Sequence, residues 1–598
     1  MILQKQAAIV ATIAILITLS LSSSTVTISS IGYCIVTGIA LIFIQLLVSQ
    51  YTQYSNEPPL FAGNIPYLGL GKEFGTDHAS LLRKLAIKSG ESPAFTAYIA
   101  GQRMTFIKNP LHFSAVLKEG KKRLQFRPVA QKIMGSAFNV QEDMESNSYH
   151  LWEKQSPHQW KMLRGKPLLH LMAQTQNELI EALNTRETID PIDNQQEWHQ
   201  VNDLYEMVVD LMWQATGRSF FGDMFDDDDN DSLGSSSSSS SSNVSTRSIK
   251  SMTKAKQSFQ TFDENFPLLA GGVPHQFLSD VSASMQYLRS KFSNKNKKDV
   301  SKENASDIIA FRQEFLFKHF NGHSQGSFQL GFLWATMANT LPTAFWSLYF
   351  VTRDKIALKK CREEADAVLK PWLNKNISSD SKSIGVILSK MPRLESVVNE
   401  CLRLCIASIT LREAMEDFEL KLGKQSVNIR KGDHVVLAPT LTHYDEEIYQ
   451  DPFVFQWDRF LVVEEKEKEK EKEKKGDEKE DEKEDEKKEE KEASLSGPKK
   501  LPVRYKNGKK LPPSIALQPF GGGTTMCPGR HFALAEIKAF VALILVKWDL
   551  KYEEDEMFNG SLSMGHNGVP RLEQARAGLG SLPPLKSDKV KCKWRVRK

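Results

Sequence analysis

The stretch Phe520-Gly-Gly-Gly-Thr-Thr-Met-Cys527-Pro-Gly-Arg530 runs directly into an apolar helical pattern that opens His531-Phe-Ala-Leu-Ala-Glu536. It constrains the fold more than any other feature, because three successive glycines let the loop turn sharply and come close to a partner where a side chain would intrude. A cysteine in such a loop, just ahead of a helix, can offer its sulfur to a metal while loop and helix-terminal N–H groups stabilise the thiolate. The glycines let the backbone approach a flat group, Phe520 can pack near the sulfur, and Pro528 with Gly529 turns the chain into the helix. A buried structural cysteine behind a glycine turn is the plainer alternative.

Upstream, Glu400-Cys-Leu-Arg403 sets an acid and a guanidinium three residues apart on one helix face. They lie among Leu394, Val397, Val398, Leu402 and Leu404, an apolar setting in which charges need partners. A third group follows in Asp451-Pro-Phe-Val-Phe455-Gln-Trp-Asp-Arg459-Phe460. These residues together resemble the cytochrome P-450 family. Phe520, Gly523, Cys527 and Gly529 match the spacing of its haem loop, and Glu400, Arg403 and Arg459 match its buried structural cluster. The resemblance implies haem b with Cys527 as the axial ligand of iron, flanked by Phe520 and Gly523, the thiolate favouring O–O cleavage. It also implies a mainly α fold with small β-sheets.

At 598 residues the chain exceeds a usual single domain, and the surplus divides into an N-terminal anchor and two low-complexity insertions. No charged residue occurs from Gln6 to Asn56, where the apolar runs Ala7 to Leu21 and Ile31 to Val48 stand out. The second run can span a bilayer and the first is marginal against the usual requirement of about 20 residues. Residues 1–56 are therefore expected to hold one or two transmembrane segments, with a cleaved signal peptide as the rival for the first run. Residues 57–598 form the expected catalytic domain. It begins at the proline-rich leader after Glu57 and is interrupted at about 226–250 and 463–500.

The first insertion joins an aspartate run to Ser235–Ser242, too polar to bury. The second holds 17 acids, 11 lysines and one glycine from Glu464 to Glu492, a net charge of −6. Subtracting it from the chain's +5 leaves +11, which suits anionic lipid surfaces and an acidic electron-donating partner. Nothing in the sequence suggests nucleic acid. Six cysteines, at 34, 361, 401, 405, 527 and 592, show no paired framework or zinc spacing, in keeping with reduced cytosolic surroundings.

Helical periodicity marks Ser80–Ser89, Gln174–Leu183, Leu204–Thr216, Phe332–Thr352, Asp354–Leu369 and Ala533–Val546, and short strands are expected at Ala94–Ile99, Met104–Ile107 and Phe418–Leu422. The helix from Phe332 makes the function more specific. Ordinary monooxygenases of the family carry an acid and then an alcohol there to deliver protons to dioxygen. Here Ala338 stands for the acid and Asn339 for the alcohol, followed by Thr340. An amide can order a water but is a poor proton source. The departure resembles the branch of sterol 7α-hydroxylases, sterol 12α-hydroxylases and prostacyclin synthase. Similarity to the cholesterol 7α-hydroxylases is greatest, extending through Phe262–Pro274, Glu416–Leu420, Asn428–Asp433, Thr525 and Arg576–Pro584.

That resemblance implies that Asn339, Ala338 and Thr340 line the oxygen site. It places Trp334, Ala335, Ala407, Ser408, Ile409, Thr410 and Leu411 against substrate, and Arg530, Arg412 and Arg164 near the haem propionates. The expected activity is hydroxylation of a sterol or similar lipid at the endoplasmic reticulum membrane, the catalytic domain facing the cytosol, with an NADPH-dependent reductase. A peroxide isomerase like prostacyclin synthase, which has no use for the acid-alcohol pair, and a non-catalytic haem carrier or sensor are the alternatives.

Overall fold

Residues 52–226, 242–461 and 501–597 are described by a computed structural model, less 66, 121, 141–144, 190–197, 296–297, 300–302, 374–384, 386, 554–561 and 566–567. The expected membrane segments, the serine run up to Ser241 and the Glu/Lys-rich insertion lie outside the described residues. No helix among the described residues is long and apolar enough to cross a membrane. The chain divides into two units, one built from residues up to 129 together with 409–441, the other from 130–408 and 442–598.

The first unit carries a six-stranded mixed sheet in the order Leu60–Phe61, Ala94–Ile99, Gln102–Ile107, His434–Leu437, Thr410–Ala414, Leu124–Gln125. Its central hairpin pairs Ala94 with Ile107 and Ile99 with Gln102 across Ala100 and Gly101. Those two residues have φ of 45° and 81°, the left-handed pair that suits a two-residue connection. Helix α1 (Gly71–Lys88) buries Phe74, His78, Leu82 and Leu85. A separate hairpin, Phe418–Leu422 with Gln425–Ile429, alternates buried and exposed positions along its first strand, as a half-buried strand must.

The second unit is mainly helical, with two small sheets formed by His199–Val201, Trp548–Tyr552 and Cys592–Val596 and by Arg504–Lys506 with Lys509–Leu511. Its principal helices are α2 (Gly165–Ile189), α3 (Leu204–Phe221), α4 (Ser242–Ala270), α5 (Ser279–Ser290), α6 (Asp307–His319), α7 (Gly322–Met337), α8 (Thr340–Arg353), α9 (Lys355–Leu373), α10 (Pro392–Cys405) and α11 (Arg530–Lys547). Asn321 caps α7 by accepting the Ser324 N–H at 2.8 Å. Helix α5 crosses α7 so closely at Gly326 that a Cβ there would lie 2.7 Å from the Arg289 carbonyl oxygen. Helix α11 is buried almost throughout, from Phe532 to Val546, which explains its lack of a polar stripe. Helix α8 buries Phe345, Trp346, Tyr349 and Phe350, the last stacked on Phe455 at 4.6 Å.

One expected element differs. The periodic run from Phe332 to Thr352 is two helices, broken at Ala338 and Asn339. Pro342 has no N–H to give the Ala338 carbonyl, and its ring crowds that oxygen. The Asn339 carbonyl instead accepts both the Thr343 N–H at 3.3 Å and the Thr343 hydroxyl at 2.7 Å. The period is the same on both sides of the break, so hydropathy does not reveal it.

Candidate active site

Cys527 is held by its own loop. Its N–H donates to the Phe520 carbonyl at 2.9 Å, closing a turn in which Gly521 and Gly523 take φ of 71° and 66°. Only glycine adopts those values without strain. Gly529 caps α11, and the N–H groups of Gly529 and Arg530 lie near enough to the Cys527 sulfur to favour its thiolate. Burial pushes the thiol up, while these two donors and the Arg530 charge pull it down. A coordinated metal deprotonates such a thiol outright, so the loop fits a thiolate ligand. Phe520 is half-buried and Gly523 exposed.

Arg530 donates to the Cys527 carbonyl at 3.0 Å and lies near Arg164 and His531. Burial, then the charges of Arg530 and Arg164, lowers His531 to about 4. Among the described residues neither arginine has a carboxylate partner, and the buried Nδ1 of His531 has no hydrogen-bond partner. Positive charge gathered without an anion suits the carboxylates of a haem, and with the donor-flanked sulfur these residues fit that group.

Ala335 on α7 is exposed and Asn339 in the break after it half-buried, while Met337 and Ala338 are buried. Thr340 is buried at the start of α8. Trp334 is committed elsewhere: its ring stacks on Phe266 at 4.1 Å and its indole N–H donates to Asp263 at 2.8 Å. Asp263 in turn pairs with the buried Arg576 at 2.7 Å. Burial raises the Asp263 carboxyl, and Arg576 opposes that.

The Asn339 oxygen accepts the Ser581 N–H at 3.0 Å. The segment bearing Ser581 also bonds to the end of α10, with Ala407 N–H to Gly580 O and Gly578 N–H to Ala407 O at 2.8 Å, and Leu582 N–H to Cys405 O at 2.9 Å. Ala407 is buried, and the half-buried Ser408 has a hydroxyl with no hydrogen-bond partner among the described residues. Within the first unit, Ile409 precedes the strand Thr410–Ala414, in which Thr410, Leu411 and Arg412 pair with Leu437, Val436 and Val435. Arg412 is buried, donates to the Leu411 carbonyl at 2.7 Å and lies over the Phe126 ring at 5.5 Å.

Glu400, Arg403 and Arg459 form one buried cluster. Both Glu400 oxygens accept from Arg403 at 2.8 Å, and one also accepts from Arg459 at 2.9 Å. The remaining guanidinium donors go to backbone: Arg403 to His443 O at 2.8 Å and Pro452 O at 2.6 Å, Arg459 to Gln450 O at 2.7 Å. The cluster thereby clamps the non-helical chain from 443 to 459.

A family model described as Cytochrome P450 matches residues 58–475 and 501–569. The chain belongs to the cytochrome P450 family. It is a haem-thiolate P450 monooxygenase related to sterol hydroxylases. It is 30% identical over 565 residues to cholesterol 7-alpha-monooxygenase of Cricetulus griseus, covering 93% of this chain and 98% of the relative. It is 28% identical to cytochrome P450 7B1 of Mus musculus (84% and 87%) and 27% identical to 5-beta-cholestane-3-alpha,7-alpha-diol 12-alpha-hydroxylase of Sus scrofa (95% and 98%). Sequence reasoning did not identify Gly580, Ser581, Thr343 or Asp263 as part of this P450 site. The stretch Arg576–Pro584 stood out only by resemblance, and no periodicity ties it to α7.

Proposed function

We propose that this P450 hydroxylates a sterol, in the manner of a 7α-hydroxylase, at the endoplasmic reticulum membrane with an NADPH-dependent reductase as electron donor. The reading is carried by the near-complete coverage of the 7-alpha-monooxygenase and 12-alpha-hydroxylase relatives. The bound haem supplies dioxygen activation.

The protein's residues then have separate tasks. Cys527 would ligate the iron, Phe520 and Gly523 would pack beside the sulfur, and Arg164 and Arg530 would meet the propionates. Ala335 and Ala407 would give an apolar wall, which a sterol skeleton rewards at about 25 cal/mol per Å² buried, and in the first unit Ile409 and Leu411 offer further apolar side chains. Trp334 backs that wall, and the Ser408 hydroxyl is available to a polar substituent. Ala338 offers no proton and Asn339 only amide hydrogens, so Asn339 would act there by ordering a water and not as an acid.

Turnover of a sterol panel by the membrane-reconstituted protein with NADPH, reductase and heavy-isotope dioxygen is expected to place one heavy oxygen in a sterol. Conversion of a lipid peroxide without reductase, and no incorporation, would instead identify an isomerase.

A further inference from the structure

We propose that Gly580 and Ser581 are positioning residues for Asn339, fixing the orientation of its amide so that its NH2 group serves the haem site as a hydrogen-bond donor. This rests on the P450 site described above. The Ser581 N–H is a donor and lies 3.0 Å from the Asn339 side chain, so the atom facing it is the amide oxygen and the amide cannot flip without losing that bond. With the oxygen turned to Ser581, the two hydrogens on Nδ2 are left for another acceptor.

Gly580 makes the arrangement possible. A Cβ at this position would lie 1.8 Å from the Asn339 oxygen and 2.7 Å from its Cγ. Gly580 is not among the glycines with left-handed φ, so the glycine is demanded by the neighbouring amide and not by backbone conformation. Ser581 adds a second tie, its hydroxyl lying 3.0 Å from that of Thr343, which also bonds to the Asn339 carbonyl. The side chain of Asn339 and the backbone around it are therefore held by the same short segment. Through the bonds of Gly578, Gly580 and Leu582 to Ala407 and Cys405, the segment joins the break between α7 and α8 to the wall after α10.

Asn339 and Gly580 are accordingly one unit: asparagine at 339 requires glycine at 580. The test compares Gly580→Ala, Asn339→Ala and the double variant as purified holoprotein, read by thermal unfolding and by the C–O stretch of the carbon monoxide complex of the reduced protein. A nearby N–H donor lowers that stretch, so Asn339→Ala is expected to raise it. Gly580→Ala is expected to lower the melting temperature and raise the stretch likewise. In the Asn339→Ala background the added methyl is expected to cost little, restoring folding even if Gly580→Ala alone fails to fold.

Equal destabilisation by Gly580→Ala in both backgrounds would overturn the pairing. Coupled melting temperatures with an unchanged stretch in every variant would leave the pairing standing and overturn the donor role. Absence of the thiolate signature from the unmutated protein would instead count against the haem site itself.

Discussion

Charge placement at single residues decides much of this protein's stability. Glu536, on α11 nine residues after Cys527, accepts a hydrogen bond from Thr216 with one oxygen and has none on the other among the described residues. Burial pushes its carboxyl up to about 8, with Thr216 opposing. The folded state thus holds a proton that the unfolded chain releases near the ordinary carboxylate pKa, so stability falls as pH rises from about 4.5 to about 8. Glu536→Gln should remove that slope and stabilise by roughly 3 kcal/mol at pH 7, which denaturant unfolding at several pH values would measure. Glu400→Gln should act oppositely, costing about 3 kcal/mol or more, because two buried guanidiniums lose their counter-charge. Cys527→Ala should abolish the thiolate-haem absorption, and an unchanged spectrum would remove Cys527 as ligand. The Glu400–Arg403 pairing was legible from a three-residue spacing in an apolar helix, whereas the buried contact of Glu536 with Thr216 joins residues 320 apart and leaves no local trace.

Among the elements, the break at Ala338 and Asn339 has the largest functional consequence. The strands at Ala94–Ile99 and Phe418–Leu422 fall where they were expected, the first buried on both faces and the second alternating, and the helices are longer than their apolar cores because polar end turns carry no period. The interruption of the Phe332 helix was not legible from hydropathy, although Pro342 contains its cause. Pro342→Ala supplies an N–H to the Ala338 carbonyl. It should join α7 to α8 and draw Asn339 away from Ser581. The expected result is a well-folded protein whose sterol-induced haem spectral shift needs about tenfold more sterol, about 1.4 kcal/mol. An unaltered titration would mean that the break does not set the site's geometry.

For the whole molecule, composition separates what folds from what modulates. Residues Glu464–Glu492 contain no apolar side chain, so replacing them with a short Gly-Ser linker should leave the melting temperature and haem spectrum unchanged. The same change moves net charge from +5 to +11, and binding to anionic vesicles in a sedimentation assay should strengthen and become more salt-sensitive. The sequence alone determined the family, the cysteine loop and the Glu-Arg pair, because each is a short pattern whose chemistry depends on neighbouring residues. Only the tertiary structure decided that Trp334 is bonded to Asp263, that Arg164, Arg530 and His531 gather beside Cys527, and that Gly580 makes room for Asn339. Those contacts join segments up to several hundred residues apart, where shape and exclusion act and no sequence period records them.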